Sequence, residues 1–241
     1  MNISKYGRFS PLFLLPLFAS CAKSPAGGPA NPQAPNRLTV QMQLQQPVNN
    51  AYLYAFAFDD DDQAADGPQA IIGTSQVPNN GIVAGSFTVL VEYQNGQYIV
   101  YRRTEGANGT EILERASSAF VTQPTPVVGN TFRFTLDLDA TTDSGVRLFR
   151  ADANRLDVNF VTTNERRRAN NQAPRTAFDA FGPRAASAYG TFRILGASRY
   201  EYSNANTVGE PTNDVQNDDT TNNVNLAQLD ITDFSILVER S

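Results

Sequence analysis

The chain has 241 residues, 41% hydrophobic and 18% charged, with 16 Gly, 14 Pro, one Cys, no His, no Trp and a formal net charge of −5. One cysteine cannot pair within the chain and the glycine content is ordinary, which excludes a disulfide framework and a collagen-like repeat. The absence of imidazole excludes Ser-His-Asp triads, histidine-ligated zinc or haem and histidine acid–base chemistry, and the length suits one large domain or two small ones.

Lys5 and Arg8 precede an apolar run over residues 9–19, interrupted by Ser10, Pro11 and Pro16. The run is too short for a bilayer span, which takes roughly 20 apolar residues, and matches the apolar centre of an export signal. The small residues Ala19 and Ser20 then lead to Cys21, the chain's one cysteine. Phe18-Ala19-Ser20-Cys21 resembles the lipobox of bacterial lipoproteins, with Phe18 where Leu is usual. The resemblance implies that residues 1–20 are a signal peptide and that Cys21 is lipidated and becomes the first residue of the mature chain. The alternative is an ordinary signal peptide cleaved after a small-x-small site, with Cys21 a bystander. One acyl chain gives marginal membrane binding, whereas two or more, at about 0.8 kcal/mol per buried CH₂, anchor stably. Ala22 rather than Asp follows the cysteine. By the same resemblance this implies the outer membrane of a two-membrane bacterium, or the outer face of the plasma membrane where there is one. Loss of Lys5 and Arg8 makes the charge two units more negative, and an acidic surface opposes nucleic-acid binding.

Residues 22–37 hold four prolines, two glycines and no large apolar residue, so residues 21–37 read as a tether from Cys21 to a single domain, 38–241. From Leu38 the pattern turns to period-2 alternation, the mark of half-buried strands. Residues 38–45 place Leu38, Val40, Met42 and Leu44 on one face. Residues 51–58 place Tyr52, Tyr54, Phe56 and Phe58 on one face and Ala51, Leu53, Ala55 and Ala57 on the other, which predicts a central strand covered on both sides. Residues 87–93 alternate up to Asn95-Gly96, a type I′ hairpin signal, and residues 98–101 return from it. Residues 132–139, 156–160, 189–195 and 229–238 complete the set, the last with a phase slip between Ile231 and Phe234 that predicts a β-bulge. A short helix over residues 143–153, with Asp143 as N-cap, is the one helical expectation. Strands punctuated by Gly, Asn and Pro predict an all-β fold, an antiparallel β-sandwich of jelly-roll or immunoglobulin-like type with long polar loops. The expected loops are 59–81, 163–188 and 203–225, and any binding surface is placed there.

Four adjacent aspartates, Asp59 to Asp62, are followed by Asp66 and Gly67. Ca²⁺ takes six to eight hard oxygen ligands, so Asp60, Asp62 and Asp66 are candidate calcium ligands, although the spacing is not that of an EF-hand. The alternative is a solvated hairpin tip that discourages edge pairing. Asp214, Asp218 and Asp219 form a second acidic cluster on a polar loop, and Arg166, Arg167 and Arg168 either balance the acidic surface or meet anionic lipid. No nucleotide or nucleophile-elbow motif occurs, and no catalytic residue is assigned. A carboxylate pair drawn from Asp179 with Asp230 or Asp233 is the alternative, as a glycan hydrolase. Tyr98, Tyr101, Tyr200 and Tyr202 are the rings expected outside the core and so available to a sugar.

The run Tyr52-Leu53-Tyr54-Ala55-Phe56-Ala57-Phe58 entering the acidic turn 59–67, with the apolar final strand over 230–239, resembles the family 9 carbohydrate-binding and DOMON-like β-sandwiches. The resemblance covers about a quarter of the domain and implies architecture alone, since the tryptophans and histidines that hold their ligands are absent here. The expectation is a membrane-anchored envelope lipoprotein with a non-catalytic binding or structural domain facing a glycan or another protein.

Overall fold

The computed structural model describes residues 35–63, 65–72, 77–106, 110–167, 176–183, 189–194, 196, 199–207, 209–218 and 223–241. The signal peptide, Cys21, nearly all of the tether, Arg168 and Asp219 lie outside them. The strands in chain order are β1 (Arg37–Leu44), β2 (Leu53–Asp59), β3 (Pro68–Ala70), β4 (Val83–Gly85), β5 (Val89–Gln94), β6 (Gln97–Glu105) and β7 (Glu111–Arg115). They continue as β8 (Thr131–Asp137), β9 (Arg155–Thr163), β10 (Ala177–Ala180), β11 (Gly190–Arg193), β12 (Arg199–Ser203), β13 (Gln216–Asn217) and β14 (Ile231–Glu239).

One sheet has four strands in the order β12-β14-β1-β8, and the larger runs β13-β10-β9-β2-β5-β6-β7 with β11 also paired to β9. All pairings are antiparallel. The fold is an all-β sandwich. Its centre is aromatic: Phe56 of β2 meets Phe132 and Phe134 of β8 edge-on at centroid distances of 5.6 and 4.9 Å, and Phe160 of β9 meets Phe234 of β14 at 6.0 Å. Such tilted pairs add roughly 0.5–1.5 kcal/mol each beyond the area they bury.

β2 is buried along its whole length, as its two apolar faces require. Tyr54, Phe56 and Phe58 face the main core, while Leu53, Ala55 and Ala57 join a second cluster with Ala70, Val83 and Phe87. The cover on that second side is the two-stranded sheet β3-β4. The 95–96 turn has φ of 53° and 76°, the two positive values of a type I′ hairpin. The expected bulge is present, because Gln43 pairs with Asp233 and Leu44 with Ile231, leaving Thr232 extra.

Two expectations are corrected. Residues 143–153 form turns rather than a helix. The Asp143 carboxylate accepts from the N–H and hydroxyl of Ser117 at 2.8 Å, which takes the oxygen an N-cap needs, and Thr141 bridges Arg147 in the antiparallel sense. The three long segments are not loops throughout. They carry β3 in the first, β10 in the second and β13 in the third, each two to four residues long. So short a strand leaves no periodicity to read.

Candidate functional site

Strand β10 fixes the site. Ala177 lies in the main core, whereas Phe178 and Ala180 join the second cluster. Strand alternation therefore turns Asp179 toward the interior of the sandwich. Asp179 is fully buried; its Oδ1 accepts from the Ala180 N–H at 2.9 Å and its Oδ2 from the Ile231 N–H at 2.8 Å. The Thr162 hydroxyl on β9 donates to the Leu229 carbonyl at 2.6 Å. Asp179 and Thr162 thus tie the start of β14, in the four-stranded sheet, to the large sheet.

Beside this tie stand three further carboxylates. One ligand oxygen from each of Asp179, Glu210 and Asp214 lies within 4.8 Å of the others. Glu210 Oε2 accepts from the Gly182 N–H at 2.9 Å, and its main-chain N–H is bound by the Asn204 side-chain oxygen. Asp230 Oδ1 accepts from the Asn213 N–H at 2.8 Å. The other oxygens, Glu210 Oε1 and Asp230 Oδ2, find no hydrogen-bond partner among the described residues, on residues 8% and 1% exposed.

The electrostatics follow from burial. Loss of water pushes the Asp179 carboxyl up to about 8, opposed by the Ile231 N–H and reinforced by the charges of Asp214 and Glu210. Desolvation likewise pushes Glu210 up to about 8, opposed by the Gly182 N–H and reinforced by Asp214 and Asp230. Asp230 is raised too, again first by burial. Charged carboxylates this close and this dry are costly, and protons or a cation would lower that cost. All its donors are hard oxygens, the chemistry of calcium rather than of zinc.

The sequence-derived candidates are distributed differently from expectation. The Asp60 carboxylate binds the Arg150 N–H and lies 3.6 Å from Arg102. Asp62 Oδ1 accepts from the N–H groups of Asn154 and Arg155 at 3.0 and 3.1 Å. These aspartates clamp the 150–155 segment. Among the described residues Asp60, Asp62 and Asp66 do not gather as a three-carboxylate group. Of the hydrolase candidates, Asp179 and Asp230 come together in the buried cluster, while Asp233 is exposed and caps the Phe234 N–H. Both carboxylates of that pair are thus buried, at 0% and 1% exposure.

Arg166 pairs with Glu92 at 2.8 Å, and Arg167 is buried, donating to the Thr176 hydroxyl and lying over the Phe178 ring at 5.3 Å. Neither is a free patch for lipid. Tyr98 is buried in the core, and Tyr202 is tied through its hydroxyl to both the N–H and the carbonyl of Arg193. Glu210 is the member of the cluster that sequence reasoning missed. Its one local signal is Gly209-Glu210-Pro211, an acid held between a flexible and a rigid residue in an otherwise polar stretch.

No protein-family model, curated protein or solved structure matches this chain at a significant level.

Proposed function

We propose that this chain is a lipid-anchored, non-catalytic β-sandwich module of the bacterial cell envelope. The observation that carries the reading is the position of Cys21, the one cysteine, directly after an apolar run and two small residues. A proline-rich tether then leads to the sandwich, whose first strand begins at Arg37. The domain acts as a binding or structural element toward an envelope glycan or another envelope protein. The anchor sits in the outer membrane of a two-membrane bacterium, or on the outer face of the plasma membrane of a one-membrane bacterium. Burial of Asp179 and Asp230 supports a non-catalytic role, because a substrate cannot reach their oxygens. The negative charge supports a partner other than nucleic acid.

The test is fatty-acid labelling of cells expressing the full chain or its Cys21→Ala variant. Label in the parent, absent from the variant and accompanied by an unprocessed precursor, is expected. Palmitate incorporation that survives in Cys21→Ala ends the lipoprotein reading. Glycan-array binding without release of reducing ends is the expected behaviour toward sugars, and turnover lost in Asp179→Asn would replace the module by a hydrolase.

A further inference from the structure

We infer that Asp179, Glu210, Asp214 and Asp230 form a calcium site that fastens the 210–214 segment to the end of the sandwich. Four facts of geometry meet there. The ligand oxygens of three carboxylates lie within 4.8 Å of one another. In a shell with metal–oxygen distances of 2.3–2.6 Å, opposite ligands stand up to roughly 5 Å apart, so one Ca²⁺ can touch all three. Magnesium, at 2.0–2.1 Å, spans only about 4.2 Å and demands near-ideal octahedral order.

The second fact is independent of the clustering. Among the described residues, Glu210 Oε1 and Asp230 Oδ2 are buried polar atoms that find no hydrogen-bond partner of good geometry. Native interiors hold few such atoms, and each calls for an explanation. The Gly182 N–H holds the Glu210 carboxyl, and the N–H groups of Asn213 and Asp214 both act on that of Asp230. The main chain thereby holds the side chains in place. A cation within reach of either oxygen supplies the missing partner.

Third, the charges that act on the group are its own. Asp214 and Glu210 act on Asp179, Asp214 and Asp230 act on Glu210, and Asp214 acts on Asp230. Among the described residues no arginine figures in these influences, whereas at the Asp60–Asp62 turn Arg102 and Arg150 lie within 3.7 Å. A divalent ion would supply positive charge to these mutually repelling carboxylates. Fourth, the ligands come from three separated stretches: β10, the polar stretch before β13, and the residue preceding β14. Bound calcium would join the large sheet, the start of the last strand and a stretch with little apolar surface of its own. The inference stands apart from the lipid anchor, since none of its residues belongs to the signal or the tether.

The test is equilibrium dialysis of the detergent-solubilised full chain, stripped with chelator, against radioactive Ca²⁺ in buffered saline. One calcium per chain is expected, with affinity reduced at least tenfold in Glu210→Gln and in Asp230→Asn and unchanged in Asp62→Asn. Melting in excess chelator is the folding control. Both neutral variants remove a repelling charge and should melt at or above the parent there. In the parent, calcium at one hundred times Kd should raise the midpoint by roughly 5–10 °C, and the same concentration of magnesium by much less. No bound calcium at millimolar concentration overturns the inference and leaves the cluster held together by shared protons. Binding that survives both neutral variants but is lost in Asp62→Asn also overturns it, in favour of the 59–67 turn.

Discussion

Asp59, at the end of β2, offers a pH dependence that can be isolated from the rest of the protein. It is 2% exposed, and burial pushes its carboxyl up to about 6, against a weaker opposing hydrogen bond from Ser86 and with added repulsion from Asp61 and Asp60. Its cross-strand neighbour Asp157 is already engaged by Arg155 at 2.9 and 3.0 Å. Between about pH 4 and pH 6 the native chain holds a proton on Asp59 that the unfolded chain has released. Stability therefore falls as pH rises through that window, and this group adds no further slope above it. A rise from the usual carboxylate range to about 6 corresponds to about 3 kcal/mol, or roughly 6–12 °C in melting midpoint for a domain of this size. The perturbation is Asp59→Asn, and the assay is thermal melting of parent and variant in excess chelator from pH 4 to 7.5. Groups common to both proteins cancel in the difference. The parent should lose ground against Asp59→Asn as pH rises toward 6, then run parallel to it. A difference that stays constant across the whole range refutes the reasoning.

Two substitutions test the frame that holds the site. Phe56→Ala removes a fully buried ring that touches Phe132, Phe134 and Phe160, and is expected to cost about 3–5 kcal/mol, read as a lower urea midpoint with unchanged slope. Gly81→Ala puts a Cβ on a residue with φ of +68° and drives it into the Arg167 carbonyl oxygen, so it should lower the midpoint more than an ordinary surface change, by about 2 kcal/mol or more.

Where the fold was legible, the signal was local. Leu38, Val40, Met42 and Leu44 repeat every second residue, and they line one face of β1. The double apolar face of β2 announced a strand covered on both sides, and the cover turned out to be β3 and β4, which announce nothing themselves because they are three residues each. The site was legible in fragments. Asp179, within an expected loop, and Asp230, in the expected last strand, stood out as halves of a carboxylate pair, and Asp214 as part of a polar run. What joins them is the pairing of β10 with β9 and the hydrogen bond from Ile231 to Asp179, contacts between residues far apart in the chain. No window of neighbouring residues contains that information. The aspartates of the 59–67 turn stood out for the opposite reason: they are adjacent in sequence, yet one oxygen each of Asp60 and Asp62 accepts from the main chain of residues 150–155, with Arg102 and Arg150 beside their other oxygens.

The placement of β1 has a consequence for the order of folding. This strand sits between β14 and β8, and its register joins Arg37 to Glu239. The hairpin β5-β6 closes over a two-residue turn and can form at once, but the four-stranded layer closes the largest loop in the domain. High contact order slows folding, because chain entropy is lost before the distant contacts return it. Until β14 arrives, the apolar face of β1 has lost one of its two neighbours and the aromatic centre lacks Phe234 and Ile236. A fold closed by so distant a pairing leaves apolar surface uncovered for as long as β1 and β14 are apart.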